Sequence, residues 1–234
     1  MTRGEGSTAG RGMPATARPG TRVRVWRSVV LPLLVIGAIA AAIWWLEYRP
    51  EAGACLRSAE SGECYGPTKL EASLVPPGMA IGPEVGKLAP NFLLETLAGD
   101  ELRLSQLRGR AVVLNFWATW CAPCRKEIPQ LVAAYDQFAD RGLVVVGVNL
   151  QESPETIRRY AEDFGMDFPI ALDRRGDVTD EYRLLGIPTT YFIDGQGVVR
   201  SVFRGPFLGR LNQANVQGAI EENELLQRIQ QILE

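Results

Sequence analysis

Histidine is absent from all 234 residues, and that absence removes more chemistry than any other feature of the sequence. It excludes imidazole acid–base catalysis, haem ligation by histidine and the mixed Cys/His zinc sites. Cysteine is scarce as well, four residues in two unlike spacings, Cys55 with Cys64 and Cys121 with Cys124, a pattern that favours no metal site. The body of the chain has no basic stripe, its aromatics are not interleaved with Lys or Arg, and its formal net charge is -2. Nothing points to nucleic acid. No internal repeat and no call for a cofactor emerge, so any catalysis has to run on cysteine.

What is present is concentrated in Asn115-Phe116-Trp117-Ala118-Thr119-Trp120-Cys121-Ala122-Pro123-Cys124-Arg125-Lys126-Glu127. Apolar, strand-forming residues from Ala111 to Trp117 stop at a short aromatic turn, and two cysteines then open a long helical pattern. A cysteine at a helix N-terminus meets unpaired backbone N–H groups and the positive end of the helix dipole, which favour thiolate over thiol. Cys121 is therefore the expected attacking sulfur. Cys124 lies one turn on along the same face and resolves a mixed disulfide formed by Cys121. Pro123 suits the first turn, where its missing N–H would have had no partner.

Residues 1–28 are rich in Gly, Arg, Thr, Ala and Pro without an apolar period and read as a disordered cytoplasmic N-terminus. Val29 to Leu46 carries no charge and is long enough to cross a bilayer at roughly 1.5 Å per residue. Trp26, Trp44 and Trp45 mark its ends. Arg11, Arg18, Arg22, Arg24 and Arg27 precede it, so the positive-inside rule keeps Met1 in the cytoplasm and places everything after Tyr48 outside. The alternative is a cleaved signal peptide ending near Ala52-Gly53-Ala54. Either way the remaining chain meets an oxidising, extracytoplasmic space. Residues 47–85, dense in Gly, Pro, Glu and Ser, read as a stalk. Within it Cys55 and Cys64 enclose a short polar loop, for which a structural disulfide is the default outside the cytoplasm; a second redox pair and a metal site stay as alternatives.

From residue 86 onward the pattern predicts an α/β sandwich around a mixed sheet. Phe92–Leu97 and Glu101–Leu104 flank Ala98-Gly99-Asp100 as a hairpin. Arg110–Trp117 is a strand apolar on both faces, hence buried on both. Ala122–Arg141 is a helix with Pro129 as an interior breaker and Gly142 as its stop. Then follow a strand from Leu143 to Val148, a helix from the Ser153-Pro154-Glu155-Thr156 cap to Phe164, and a strand Pro169–Leu172. A short helix Asp177–Leu185, strands Thr189–Ile193 and Val198–Phe203, and a closing helix Gly218–Leu233 complete the domain. Local sequence makes Pro188, in Gly186-Ile187-Pro188-Thr189-Thr190, a trans turn proline.

Pro90–Glu95, Leu114–Cys124 with Pro129 behind it, and Gly186–Thr190 together resemble the thioredoxin superfamily, within it the membrane-anchored TlpA-like and ResA-like thiol-disulfide oxidoreductases. The resemblance covers about Gly86 to Glu234. It implies a thioredoxin fold with an N-terminal hairpin and an inserted strand and helix between Leu143 and Leu172, Cys121 exposed, Cys124 buried, and Pro188 cis. Ile187, Pro188 and Trp120 would contact substrate, Trp120 also covering the cysteines. Thioredoxin's buried acid is replaced by Asn115, so Glu95, an acid where ResA-like proteins carry one, would serve the cysteines; without the resemblance Glu95 reads as a solvated strand residue. Glu127 reads as a first-turn surface acid.

The same resemblance implies a protein-disulfide reductase on the periplasmic side of a bacterial cytoplasmic membrane. Its electrons would come from a membrane thiol transporter of the CcdA/DsbD kind, and its client would be apocytochrome c in cytochrome c maturation. The rival classes are a disulfide oxidase or isomerase, a thiol peroxidase, and a non-enzymatic tether.

Overall fold

A computed structural model describes residues 33–39, 56–208 and 223–234. The chain divides into two compact units, Met1–Ala54 and Cys55–Glu234. In the first, residues 33–39 are helical, and the rest of the expected 29–46 membrane segment lies outside the described residues. Among the described residues no helix is long and apolar enough to cross a membrane.

The second unit is built on a five-stranded sheet. Its strands are β4 (Ala111–Trp117), β5 (Leu143–Leu150), β6 (Ile170–Asp173), β7 (Thr189–Ile193) and β8 (Val199–Arg204), in spatial order β6-β5-β4-β7-β8. β4, β5 and β6 run parallel, β7 runs antiparallel to β4, and β8 is antiparallel to β7. β4 is central, and all seven of its residues are buried, as its unbroken apolar run requires of a strand covered on both sides. Side chains alternate between faces. Ala111, Val113 and Trp117 meet helices α1 (Ala122–Phe138), α2 (Pro154–Phe164) and α4 (Glu224–Leu233) through Ile128, Leu131, Ile157, Leu225 and Ile229. Val112, Leu114 and Phe116, with Tyr191 beside them on β7, meet the opposite layer, made by Phe92, Leu94, Leu102, Val178 and Tyr182. That layer contains α3 (Asp177–Glu181) and a smaller antiparallel sheet of β1 (Gly66–Pro67), β2 (Phe92–Glu95) and β3 (Glu101–Arg103).

Local chemistry fixes the ends of these elements. The Ser153 hydroxyl accepts from Thr156 N–H at the start of α2, and the Asn223 side chain accepts from Leu225 and Leu226 N–H at the start of α4. Gly142 and Gly165 take the left-handed conformation that ends the helical stretches before β5 and after α2. Pro129 lies inside α1, which runs unbroken from Ala122 to Phe138.

Three expectations change. The residues read as a stalk are part of the domain: β1 pairs with β2, Asn91 donates to Thr68 at 2.8 Å, and Arg103 pairs with Glu63. Scattered Gly and Pro mark loops, but loops gain order where a neighbouring edge, here β2, offers free backbone groups. The helix expected over Asp177–Leu185 stops at Glu181, with Arg183 at φ 50 breaking the helical backbone. The closing helix begins at Glu224, and the part expected from Gly218 lies outside the described residues.

Candidate active site

The C-terminal end of β4 delivers Trp117 to the Ala118–Trp120 turn, and Cys121 is the N-cap of α1. Its Sγ accepts the Cys124 backbone N–H at 3.1 Å and is joined to Cys124 Sγ in a disulfide. A sulfur in this position satisfies one of the orphan N–H groups of the first turn and lies at the positive end of the helix dipole, so on reduction negative charge is favoured there. Cys121 is 4% exposed and Cys124 fully buried. The expectation of an exposed Cys121 is thus corrected for the disulfide form: the cap bond and the S–S bond hold the sulfur against the first turn, and only a residual edge faces solvent. Trp120 beside it is 69% exposed.

The turn before Cys121 is held from the β5–α2 loop. Glu152 accepts Thr119 N–H at 2.7 Å, the Thr119 hydroxyl, and Asn149 Nδ2 at 2.8 Å. Across β4, Thr189 pairs with Phe116 and Thr190 with Asn115, which brings Pro188 to the same end of the sheet as the cysteines. The Ile187–Pro188 peptide is cis, Pro188 C=O accepts from Gly205 N–H, and Ile187 packs against the cluster containing both cysteines.

One acid lies under this surface. Glu127 is fully buried, three residues beyond Cys124 and so on the same face of α1. Asn115 Nδ2 donates to its Oε1 at 2.8 Å, and Phe207 N–H donates to its Oε2 at 3.2 Å. Burial raises its pKa from the ordinary 4.5 to about 7, the two hydrogen bonds opposing the rise. A carboxyl that titrates near neutrality beside a cysteine pair is equipped to exchange protons with it.

The chain is similar in sequence and in fold to known proteins. Over 121 residues, 52% of this chain and 70% of the relative, the sequence is 41% identical to the thiol-disulfide oxidoreductase ResA of Geobacillus kaustophilus. ResA of Bacillus subtilis is 41% identical over 120 residues, 51% of this chain and 67% of the relative. A crystal structure of a thiol:disulfide interchange protein of the thioredoxin family from Chlorobium tepidum superposes with a TM-score of 0.53 at 28% identity, covering 63% of this chain and 96% of that one. The model of the AhpC/TSA family matches residues 85–202.

The chain belongs to the AhpC/TSA family. Within it, this is a ResA-like thiol-disulfide oxidoreductase with the thioredoxin-like α/β fold. For such an enzyme the positions of the remaining candidates matter. Glu95 is not gathered with the other site residues: it ends β2 and pairs with Arg174 at 2.8 Å, both partly exposed. β2 belongs to the small sheet, whereas the helix that opens with the cysteines, α1, carries Glu127 inward, so the buried acid on the cysteines' own helix is Glu127 and not Glu95. Glu127 is correspondingly no surface acid. Cys55 lies outside the described residues. Cys64 is exposed, in an isolated antiparallel bridge with Arg57, and carries no free thiol. Among the described residues no cluster of His, Cys, Asp or Glu is arranged to hold a metal.

Proposed function

We propose that this oxidoreductase reduces protein disulfides on the outer side of a bacterial cytoplasmic membrane, held there by residues 29–46. The carrying observation is the pairing of a helix-capping cysteine with a buried acid on the resolving cysteine's face. The Cys121 thiolate attacks one sulfur of a client disulfide, forming a mixed disulfide and releasing the client's other sulfur as thiolate. Cys124 gives its proton to Glu127 and attacks the Cys121 sulfur. The client's first sulfur leaves as thiolate, and the Cys121–Cys124 bond re-forms. The client gains two electrons and the pair loses two. Glu127 suits the proton step because a base near neutral pKa is free to accept at pH 7 and to return the proton in the next cycle.

The names of the relatives support thiol-disulfide exchange; its direction and client rest on the family resemblance. Apocytochrome c, with its Cys-x-x-Cys-His haem-attachment site, is the proposed client, bound along Ile187, Pro188 and Trp120. A membrane thiol transporter of the CcdA/DsbD kind is the proposed donor of the two electrons and two protons that reset the pair. A Cys55–Cys64 disulfide would brace the segment after the anchor.

Equilibration of the purified domain with glutathione or dithiothreitol buffers tests the direction. A potential near that of thioredoxin, about -270 mV, is expected, and one near the oxidising extreme of about -120 mV would replace reductase with oxidase. Mixed disulfides trapped on Cys124→Ala in the native envelope and identified by mass spectrometry test the client; cytochrome c apoproteins should be among them.

A further inference from the structure

The inner face of β4 is apolar except at Asn115, whose side chain is completely buried. Its two amide hydrogens are both used, one on Glu127 Oε1 at 2.8 Å and one on Thr190 Oγ1 at 2.9 Å from the neighbouring strand β7. Its Oδ1 is buried without a partner. A buried amide oxygen left without a partner at the centre of a domain is unfavourable, and apolar side chains fill every other position of β4 on both faces. The group that this arrangement serves is the acid it touches.

We propose that Asn115, oriented by Thr190, is a positioning residue that holds the Glu127 carboxyl on the Cys124 face of α1 and governs its protonation. This rests on the reading of Glu127 as the proton acceptor of Cys124. An amide meets both states of the acid. With Nδ2 forward it donates to the carboxylate; rotated by half a turn about its terminal bond, Oδ1 accepts from the carboxylic acid O–H. The Thr190 hydroxyl accommodates either face, as acceptor or donor. Neither an apolar side chain nor an aspartate does both. Of the two N–H donors to Glu127, the Phe207 amide is backbone, so Asn115 is the donor that side-chain identity sets.

The surroundings leave little else to act on Glu127. No charged side chain is among the causes of its raised pKa. From α2 the titratable neighbour is Tyr160, whose phenol is affected by Glu127, Arg125 and Glu152. From α4, Arg228 is paired with Glu224 and lies over Phe192 and Phe203. The Cys121–Cys124 pair itself shares α1.

The test is a carbon-13 titration of the Glu127 carboxyl in the oxidised protein, followed by the pH profile of single-turnover disulfide exchange in the reduced protein. Asn115→Leu, which removes the donor, and Asn115→Asp, which keeps the shape and adds a like charge, should each move the Glu127 midpoint up by about one pH unit or more. Thr190→Val should move it the same way by less. In a Glu127→Gln background Asn115→Leu, which adds no titrating group, should leave the exchange profile unchanged. A midpoint unmoved in both Asn115 variants, or in whichever of them folds, overturns the inference. A midpoint that moves while the exchange profile does not leaves Asn115 in place and removes Glu127 as the proton acceptor.

Discussion

Glu127 occupies a place where an ionised carboxylate is unfavourable, and the consequence is a pH-dependent stability with a definite sign. Its folded pKa of about 7 stands above the ordinary 4.5, so the stabilisation it contributes is full below about pH 4.5 and is lost as pH rises through about 7. The loss reaches roughly 3 kcal/mol at 1.36 kcal/mol per unit. Glu127→Gln has no proton to lose. Urea unfolding of the oxidised proteins should therefore show the variant gaining on the native chain by about 3 kcal/mol between pH 4 and pH 8, and a constant difference would refute the buried titration. Glu95→Gln is expected to do little: it removes a partly exposed ion pair with Arg174, worth under about 1 kcal/mol, and should leave exchange rates unchanged around neutral pH. The cysteines were legible because helix-start chemistry is local. Glu127 was not, although a signal existed. Counted round the helix from Cys124, residue 127 falls between the buried positions Leu131 and Ala134, and the single polar residue of β4, Asn115, needs a partner from that face.

Strands and helices whose apolar period is strong lie close to their expected bounds, and the shifts occur where tertiary contact decides. β5 extends to Leu150 because Asn149 and Leu150 pair with β6. α3 is shorter than its pattern because the chain must turn to reach Ile187. Close packing also fixes one glycine that sequence left unremarked. A Cβ on Gly147 would lie 2.8 Å from Trp117 Nε1 and 3.1 Å from Phe168, both ring atoms of buried side chains that have no room to retreat. Gly147→Ala should destabilise the domain by about 1–3 kcal/mol through overpacking, measured by thermal or urea unfolding; a neutral result would mean that the Trp117 ring is free to shift. Loss of the α2 cap in Ser153→Ala should cost about 1 kcal/mol, seen in the same assay.

At the scale of the whole molecule, the order β6-β5-β4-β7-β8 places the redox turn and the Ile187–Pro188 segment side by side at one end of the sheet, though Cys124 and Pro188 stand 64 positions apart in sequence. That adjacency was reachable only through resemblance to a known family, because strand order across a mixed sheet is not written in any local pattern. The start of the domain is hidden for the same reason: residues 56–85 are ordered by partners distant in sequence, β1 by β2, Glu63 by Arg103 and Glu84 by Arg183. A chain beginning at residue 86 should consequently melt several degrees below one beginning at residue 56, and equal melting temperatures would restore the stalk reading. All of the chemistry depends on which sulfur of the pair ionises first. Alkylation of the reduced protein by iodoacetamide across pH 5 to 9, with each labelled cysteine quantified by peptide mass spectrometry, measures this directly. Cys121 is predicted to react first, with a midpoint below the ordinary thiol value of about 8.5; faster labelling of Cys124, or a Cys121 midpoint at or above that value, would contradict the account.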